Sequence, residues 1–403
     1  MTAVERLFKD IVVVEVANVL AGPMVGMFFA ELGATVIKVE NPTTQGDTTR
    51  QWKLPTETDE GTVSAYFSCA NWGKQSIGVN FSTPEGRGVL LDLVRRADVF
   101  LQSFKPGDER KFQLDYPALN AINSRLIYAH ITAYGPDDTR TGFDAILQAE
   151  SGFTAINGDP DGPPTKMPVA LIDLLLAHQL KQALLLALIE RLQTGLGSYI
   201  TVSLLQCGLT ALANQAANFL VAGKIPRRAG SDHPNIAPYG TVFQTADNQN
   251  IVLAIGTDPQ FQALCMALDI PEAARDARFY DNQRRVINRE SLKSLLAERI
   301  SHLTREDLLE GLKRRRVPAG AVLTMDEVFE QPQAQALLVD ALQADGSPIR
   351  GVRTIAFQTG TVNTRQPLSP PPPFNSDGTT LLQDLLGYSN DQIDALRKNG
   401  AVV

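Results

Sequence analysis

Short apolar runs rich in β-branched residues alternate with helical segments through about the first half of this chain. Runs of this kind, at residues 11–16 and 35–40, are typical of strands buried on both faces, and further strands are predicted at 98–102 and 125–132. The segment AGPMVGMFFAELGA, between the first two strands, predicts a helix. This strand–helix–strand order predicts an α/β fold whose larger domain holds a Rossmann-like, doubly wound parallel sheet.

The pattern changes after about residue 220, and we expect a second, smaller α+β domain at 225–325. Two apolar runs flank the polar segment ADNQN within 241–255, which predicts a β-hairpin, and charged helices follow it. The larger domain is then assigned to 1–224, with 326–403 as a linker and a C-terminal return to that domain. The proline-rich segment 367–374 is interpreted as an extended surface connection.

Composition excludes several classes of function. The formal net charge of −7 argues against a nucleic acid or an anionic membrane as the main partner. Three cysteines without CxxC spacing, and no export signal, favour a reduced, cytoplasmic protein. The apolar stretch 169–189 is interrupted by polar residues, so it is interpreted as a buried helix and not as a membrane span. Only four histidines occur, none at ligand spacing, so no metal site is expected.

The first strand and helix only partly resemble a dinucleotide-binding fingerprint. Gly22, Gly26 and Glu40 lie near the required spacing, but LAGPMVGM is not GxGxxG and has Pro23 in its middle. A tight turn into a helix explains the segment equally well. Nicotinamide binding is therefore disfavoured.

Asp173 is a single carboxylate amid apolar residues, near the start of a long predicted helix. One hypothesis makes it the N-cap of that helix. The other makes it a nucleophile, whose reaction would be helped by backbone N–H groups at the positive end of the helix dipole. Residue type and position leave both hypotheses open.

Basic residues at predicted loops and strand ends modestly favour a phosphorylated ligand, since open α/β sheets bind ligands at the carboxyl ends of their strands. Most basic residues of this kind are simply solvated. Those in question are Lys38, Arg50, Lys74, Lys105, Lys111 and Arg140.

Several segments, taken together, resemble the family III CoA-transferases, which include the acyl-CoA racemases. They are VLAGPMVGMFFAELGATVIKVENP, NWGKQSIGVNFSTPEGRGVL, ADVFLQSFKPG, TGFDAILQAESG and ERLQTGLGSYITVSLL. The C-terminal half is most similar to the branch that moves CoA from succinyl-CoA to dicarboxylates such as glutarate. Leu20 stands where formate-type enzymes carry glutamine, which argues against formate or oxalate as the acid.

The resemblance implies a mechanism, a ligand and an assembly. Asp173 matches the family's catalytic aspartate, which forms an anhydride and then an aspartyl–CoA thioester. Coenzyme A or acyl-CoA acts as a substrate, with no tightly bound cofactor and no metal. The family fold implies an interlocked homodimer whose partners are acyl-CoA and small carboxylic acids. The residues expected near CoA are Leu20, Ala21, Lys38, Arg50, Lys74, Phe104 and Lys111.

Two alternatives remain. A 2-methylacyl-CoA racemase needs a histidine in a Gly-His-Asp segment as a second acid–base group, and this chain reads Gly142-Phe143-Asp144 there, which disfavours racemisation. The other alternative is a non-catalytic CoA-binding protein on the same fold. Intact motifs on both sides of Asp173 speak against that second alternative.

Overall fold

The computed structural model describes residues 7–57, 63–360 and 362–403. Its strands are β1 Val12–Val16, β2 Thr35–Glu40, β3 Gln75–Gly78, β4 Val99–Gln102, β5 Ile127–Thr132, β6 Tyr199–Ser203, β7 Tyr239–Gln244, β8 Asn250–Ala254, β9 Ala319–Ala321, β10 Leu338–Leu342 and β11 Pro348–Val352.

The α-helices are α1 Ala21–Glu31, α2 Ala65–Ser68, α3 Pro84–Arg96, α4 Asp108–Lys111, α5 Tyr116–Ile122, α6 Asp144–Glu150, α7 Phe153–Ile156, α8 Leu171–Thr194, α9 Leu204–Thr210, α10 Ala213–Leu220, α11 Asp258–Ala267, α12 Asn282–Ile287, α13 Arg289–Ile300, α14 Arg305–Arg314, α15 Met325–Glu330, α16 Pro332–Gln335, α17 Gly378–Thr380 and α18 Asn390–Lys398. Short 3-10 helices lie at Pro42–Thr44, Thr48–Gln51 and Pro271–Arg275, and a π-helical turn at Leu381–Leu385.

The chain forms two compact units. The first comprises Met1–Ser151, Pro168–Ala213 and Ala336–Val403, and the second comprises Gly152–Met167 and Asn214–Gln335. The second unit thus takes a short segment ahead of α8 as well as the region around 225–325. The domain boundaries predicted at 224/225 and 325/326 stay a prediction.

A six-stranded parallel sheet organises the first unit, with strand order β3-β2-β1-β4-β5-β6. This order reverses direction beside β1, as in doubly wound folds. The predicted α/β class with a Rossmann-like parallel sheet is confirmed. All four strands predicted in this region are present, with ends shifted by two residues at most.

Local signals in the sequence set several helix ends. Thr83 caps α3 by accepting the Gly86 N–H, and Pro84 occupies the first turn. Gly33, with φ of 95°, follows α1 in a left-handed conformation that glycine adopts without strain. Ser389 and Gln392 form a capping box at α18.

Helix α8 buries one face in the first unit and exposes the other. Its buried residues recur every three or four positions, as a helix against a core requires: Ile172, Asp173, Leu176, Ala177, Leu180, Lys181, Leu184, Ala187 and Arg191. By length and composition alone α8 is apolar enough to cross a membrane, a test that core helices also pass. The prediction of a buried helix is therefore only half right, since Leu186 and Leu192 are 68% and 86% exposed.

The second unit contains an antiparallel sheet in the order β7-β8-β9. The predicted hairpin is confirmed, and Asn248 in its turn has the positive φ (57°) that asparagine tolerates. The unit has its own apolar core, in which Phe243, Ile251 and Leu253 of the sheet pack with residues of α11, α13 and α14.

The proline-rich segment 367–374 forms neither helix nor strand, as predicted, but its expected surface position is partly wrong. Pro371 and Pro372 are buried. The Pro372 carbonyl accepts a hydrogen bond from Nη1 of Arg50 at 3.0 Å, so this segment helps to fix a buried guanidinium.

Candidate active site

Helices α1 and α8 bring their N-termini to the same edge of the parallel sheet. Each connects two parallel strands, so each runs opposite to the strands and begins at their carboxyl ends. The two helices pack against each other. Leu20, Ala21 and Asp173 therefore lie at the carboxyl edge, where α/β sheets bind ligands.

Asp173 is the third residue of α8 and not its N-cap. The cap position is Ala170, which makes no side-chain capping bond. The capping hypothesis for Asp173 is therefore wrong, because the helix begins two residues earlier, at Leu171. The carboxylate projects from the first turn, where the helix dipole favours negative charge.

The carboxylate of Asp173 lies in surroundings that disfavour its charge. Asp173 is 7% exposed, and within the described residues no hydrogen bond or salt bridge engages its oxygens. Burial, and after it the charge of Asp144, raise the pKa of Asp173 to about 7. Such a carboxylate is more basic than a solvated one and remains free to react with a ligand.

Asp144, at the start of α6, supplies the cap that α8 lacks. Its Oδ1 accepts the N–H of Ile172 at 2.7 Å, and its Oδ2 accepts from Nε2 of Gln148 at 2.6 Å. Nε2 of Gln148 also donates to the carbonyl of Val169 at 3.2 Å, in the segment that leads into α8. Asp144 and Gln148 together tie α6 to the beginning of α8.

The backbone donors of the first turn of α8 are largely committed. The N–H of Leu171 donates to the carbonyl of Val169 at 2.8 Å, and that of Leu174 to the carbonyl of Ala170 at 3.2 Å. With Ile172 bonded to Asp144, these N–H groups are unavailable to an oxyanion at Asp173. The N–H of Asp173 itself is not among these bonded donors, and backbone help to an oxyanion at this helix start stays a prediction.

Tyr66 of α2 is the aromatic neighbour of the two carboxylates. Burial raises its pKa to about 12, with further contributions from Cys69, Asp173 and Asp144. Its hydroxyl is therefore protonated at neutral pH and able to donate a hydrogen bond to a ligand there. Its ring packs edge-on against Trp52, with ring centroids 5.1 Å apart.

Two of the basic residues expected near CoA belong to a buried ion network. Nζ of Lys38 lies 3.2 Å from Glu15 and 2.9 Å from Asp47, and Nζ of Lys74 lies 2.9 Å from Glu15. Burial would lower the pKa of Lys38, but the charges of Asp47 and Glu15 outweigh it and the pKa is raised. Burial lowers the pKa of Lys74 to about 8, against the opposing effect of Glu15.

A third, Arg50, is held by Glu40 through two hydrogen bonds of 2.7 and 2.6 Å and stacks over Phe67 at 3.7 Å. All three cations are buried and paired with carboxylates of the same unit. Their assignment as CoA contacts stays a prediction.

The other residues expected near CoA lie in two places. Leu20 and Ala21 are buried at the start of α1. Phe104 is half-buried after β4 and packs with Phe81 and Phe112 at centroid distances of 5.7 Å, while Lys111 at the end of α4 is exposed. Leu20, Ala21 and Phe104 thus follow the carboxyl ends of strands, and their assignment as CoA contacts, with that of Lys111, stays a prediction.

Sequence reasoning missed Asp144 and Tyr66 as neighbours of Asp173. The Gly142-Phe143-Asp144 segment drew attention only to Phe143, which is 58% exposed at the N-cap of α6 and cannot transfer a proton. The sequence did contain one signal for Asp144: Gln148 follows it by four residues, so the two side chains lie on one face of a short helix and can form a hydrogen bond.

The described parts of the chain contain no cluster of three or more His, Cys, Asp or Glu residues able to hold a metal ion. The reactive candidate at this edge is the buried carboxylate of Asp173, whose pKa is raised to about 7. A carboxylate of this kind can act as a nucleophile toward an activated acyl group.

Residues 8–378 match the model of the family described as CoA-transferase family III. A succinate–glutarate CoA-transferase of Agrobacterium fabrum is 41% identical over 350 residues, covering 85% of this chain and 87% of that protein. A human succinyl-CoA:glutarate CoA-transferase is 33% identical over 403 residues, covering 98% of this chain and 89% of that protein.

Among solved structures, a CAIB/BAIF family protein from Brucella suis superposes with a TM-score of 0.81 at 40% identity, covering 94% of this chain and all of that one. Both sequence relatives carry names that state a transfer of CoA between dicarboxylates. The match to the family runs from before β1 to the first residue of α17, and so includes Asp173 and most of both units. The chain accordingly belongs to CoA-transferase family III and is a CoA-transferase, an enzyme whose substrates are CoA thioesters.

Proposed function

We propose that the enzyme transfers CoA from succinyl-CoA to a second dicarboxylate, through covalent intermediates on Asp173. The observation that carries the proposal is the state of this carboxylate. It is buried in the first turn of α8, has a raised pKa, and meets no donor or cation among the described residues. A carboxylate with a purely structural role would be paired.

The reaction begins when an Asp173 oxygen attacks the thioester carbonyl of the donor. The carbon–sulfur bond breaks, CoA leaves as a thiolate, and a mixed anhydride of Asp173 and the donor acid forms. The thiolate then attacks the Asp173 carbonyl, the anhydride C–O bond breaks, and the donor acid leaves as a carboxylate. Asp173 now carries CoA as a thioester.

The acceptor acid repeats these steps in reverse. Its carboxylate attacks the Asp173 thioester and displaces the CoA thiolate, which gives a second mixed anhydride. The thiolate attacks the acceptor's carbonyl, and Asp173 returns as a carboxylate. One thioester replaces another, so the exchange requires no ATP.

The choice of dicarboxylates rests on the relatives, whose names pair succinate or succinyl-CoA with glutarate. One local feature also favours a dicarboxylate. Leu20 and Ala21 are buried apolar residues at the start of α1, on the carboxyl edge of the sheet. An apolar wall suits the methylene chain of a dicarboxylate better than formate, which has none.

The CoA contacts remain part of this proposal. We assign the acyl end of the donor to Leu20 and Ala21, and the nucleotide end to Phe104 and the exposed Lys111. Lys38, Arg50 and Lys74 act mainly through the ion network, which fixes the loops after β1 and β2. The proposal assigns CoA as a substrate and includes no tightly bound cofactor.

We also propose a cytoplasmic homodimer. The support is the exposed apolar face of α8, since apolar side chains that are exposed together often mark a protein–protein contact. A second copy of the chain covering this face would remove it from solvent. The face consists of Leu185, Leu186, Ile189 and Leu192.

The test is a CoA-exchange assay with succinyl-CoA and a panel of carboxylic acids. Wild type is compared with Asp173→Asn, which keeps the shape of the side chain and removes the nucleophile. We expect glutarate-like acids to accept CoA in wild type and exchange to be lost in the variant. Exchange that persists in Asp173→Asn would overturn the proposal, and α-proton exchange on a 2-methylacyl-CoA without an acceptor acid would favour a racemase.

A further inference from the structure

We propose that Asp144 is the positioning residue of Asp173. Its carboxylate caps α8, and its negative charge repels the free carboxylate of Asp173. The acylated forms of Asp173, which are neutral, are therefore favoured relative to the free carboxylate. The inference rests on the proposed function, because it concerns the covalent forms of the same residue. It goes beyond that function by assigning a role in catalysis to a second carboxylate.

Asp144 is held on both of its oxygens, so its charge has a fixed place. Oδ1 accepts from the N–H of Ile172 and Oδ2 from the amide of Gln148. Ile172 directly precedes Asp173 in the first turn of α8. A bond of this kind, from another helix, sets where α8 begins and therefore where the Asp173 carboxylate points.

No cation neutralises the pair within the part of the chain that the structure describes. Asp144 and Asp173 make no salt bridge there, and both are at least nine-tenths buried. Tyr66 is influenced by both carboxylates, by Cys69 and by Asp47; burial raises the pKa of Tyr66 to about 12 and that of Cys69 to about 11, so both are neutral at pH 7. Asp144 is therefore the charge that Asp173 experiences most strongly after burial itself.

Acylation of Asp173 removes the negative charge that Asp144 repels. In the first step the aspartyl oxygen bonds to the acyl carbon, and the negative charge leaves with the CoA thiolate. The later aspartyl–CoA thioester is neutral at Asp173 as well. Both covalent forms are thus relieved of the repulsion that the free carboxylate experiences, as is the protonated acid.

Because protonation and acylation relieve the same repulsion, the pKa of Asp173 and its acylation equilibrium constant are linked quantitatively. Replacing Asp144 by a neutral residue lowers the pKa of Asp173 and lowers the equilibrium constant for its acylation by the same factor, since each process neutralises the same group. A nearby like charge disfavours the ionised form of a carboxyl group. The acid limb of the rate profile should then move to lower pH, and the acylation constant should fall by the matching factor, roughly tenfold for each pKa unit of that shift.

The experiment uses Asp144→Asn, whose amide oxygen can still accept the Ile172 N–H. Asp144→Ser, a second neutral residue that can cap, guards against a folding defect in the first variant. Glu310→Gln, which removes an exposed carboxylate from the second unit, is the control for net charge. The pH dependence of exchange is measured for each protein, together with the fraction of enzyme carrying CoA at fixed ratios of succinyl-CoA to succinate.

We expect both Asp144 variants to shift the acid limb downward and to carry less covalent CoA by a matching factor, while Glu310→Gln changes neither. An unchanged acid limb in folded Asp144→Asn or Asp144→Ser contradicts the inference, even if Asp173→Asn is inactive and the proposed function stands. A shifted limb with an unchanged covalent fraction contradicts it as well. Activity that survives in Asp173→Asn removes the proposed function itself.

Discussion

Asp144 accepts the N–H of Ile172 at 2.7 Å and so begins the helix on which Asp173, the very next residue, presents its carboxylate. Two buried acids are thereby held close together with no cation between them in the described residues. Both carboxylate oxygens of Asp144 accept hydrogen bonds that hold α6 to α8. The oxygens of Asp173 make no hydrogen bond among the described residues. This arrangement supports the proposed role of Asp173 as the reacting carboxylate.

The first prediction concerns the pH dependence of turnover. In the proposed mechanism the nucleophile is the ionised form of Asp173, whose pKa is raised to about 7. Exchange should therefore rise with pH through about 7 and reach a plateau above it. The measurement is kcat/KM for the acyl-CoA between pH 5 and 9; a rate already flat at pH 5 contradicts the raised pKa.

The second prediction concerns stability. Because the folded state raises the pKa of Asp173 from 3.8 to about 7, it binds a proton there that the unfolded state releases, and stability falls as pH rises between these values. Above pH 7 the full effect corresponds to about 4 kcal/mol. Asp173→Asn should stabilise the protein by about 2 to 4 kcal/mol at pH 8 and by little at pH 4.

Thermal and urea unfolding of wild type and Asp173→Asn at both values of pH measure this difference. The free energy of unfolding should separate the two proteins only at the higher pH. Equal stabilities at pH 8 would mean that burial and Asp144 do not destabilise the ionised carboxylate of Asp173.

The third prediction concerns the buried ion network. Glu15 faces two lysines, and its register partner on β2 is Lys38. Glu15→Gln leaves a buried charge uncompensated and should destabilise the protein by roughly 3 kcal/mol. Adding Lys74→Met should restore part of the loss, as a double-mutant cycle in urea would reveal. Strict additivity of the two changes would show that the residues are uncoupled.

A matched pair of glycines gives the fourth prediction. A Cβ at Gly26 of α1 would overlap Oε2 of Glu15, whereas a Cβ at Gly88 of α3 meets no atom within 4 Å. Gly26→Ala should therefore disrupt the network and lower the melting temperature. Gly88→Ala should stabilise the protein by about 0.5 to 1 kcal/mol, since alanine costs less backbone entropy in a helix.

The fifth prediction concerns assembly. Leu186 and Leu192 lie on the exposed apolar face of α8. If a second copy covers this face, Leu186→Glu combined with Leu192→Glu should convert a dimer to a monomer in sedimentation velocity. Ile287→Glu, at another exposed apolar position, is the control and should leave the assembly unchanged. A wild-type monomer would remove the homodimer from the proposal.

The strands of the parallel sheet were predictable because each is a short apolar run between helical segments, a local pattern that burial on both faces imposes. The reactive candidate, Asp173, was also visible as a lone carboxylate amid apolar residues at a predicted helix start. Its N-cap interpretation failed because the true cap comes from Asp144, 28 residues earlier, through a contact between two helices. No local spacing encodes such a contact.

The roles of the basic residues were hidden for a related reason. Lys38 and Glu15 are opposite each other on neighbouring strands, and Arg50 meets Glu40 across a turn. Each charge, taken alone in the sequence, looked available to a phosphate. Strand order and register place these cations in ion pairs with carboxylates of the same unit, and their contact with CoA stays a prediction.

The most direct test of the central claim follows oxygen atoms from the acceptor acid. In the proposed mechanism the acceptor's carboxylate oxygen bonds to the Asp173 carbonyl and stays there when the second anhydride breaks. With 18O-labelled glutarate and succinyl-CoA, the peptide containing Asp173 should gain 18O during turnover, as mass spectrometry of the digested enzyme would show. Continued formation of glutaryl-CoA with no label in that peptide would contradict the account.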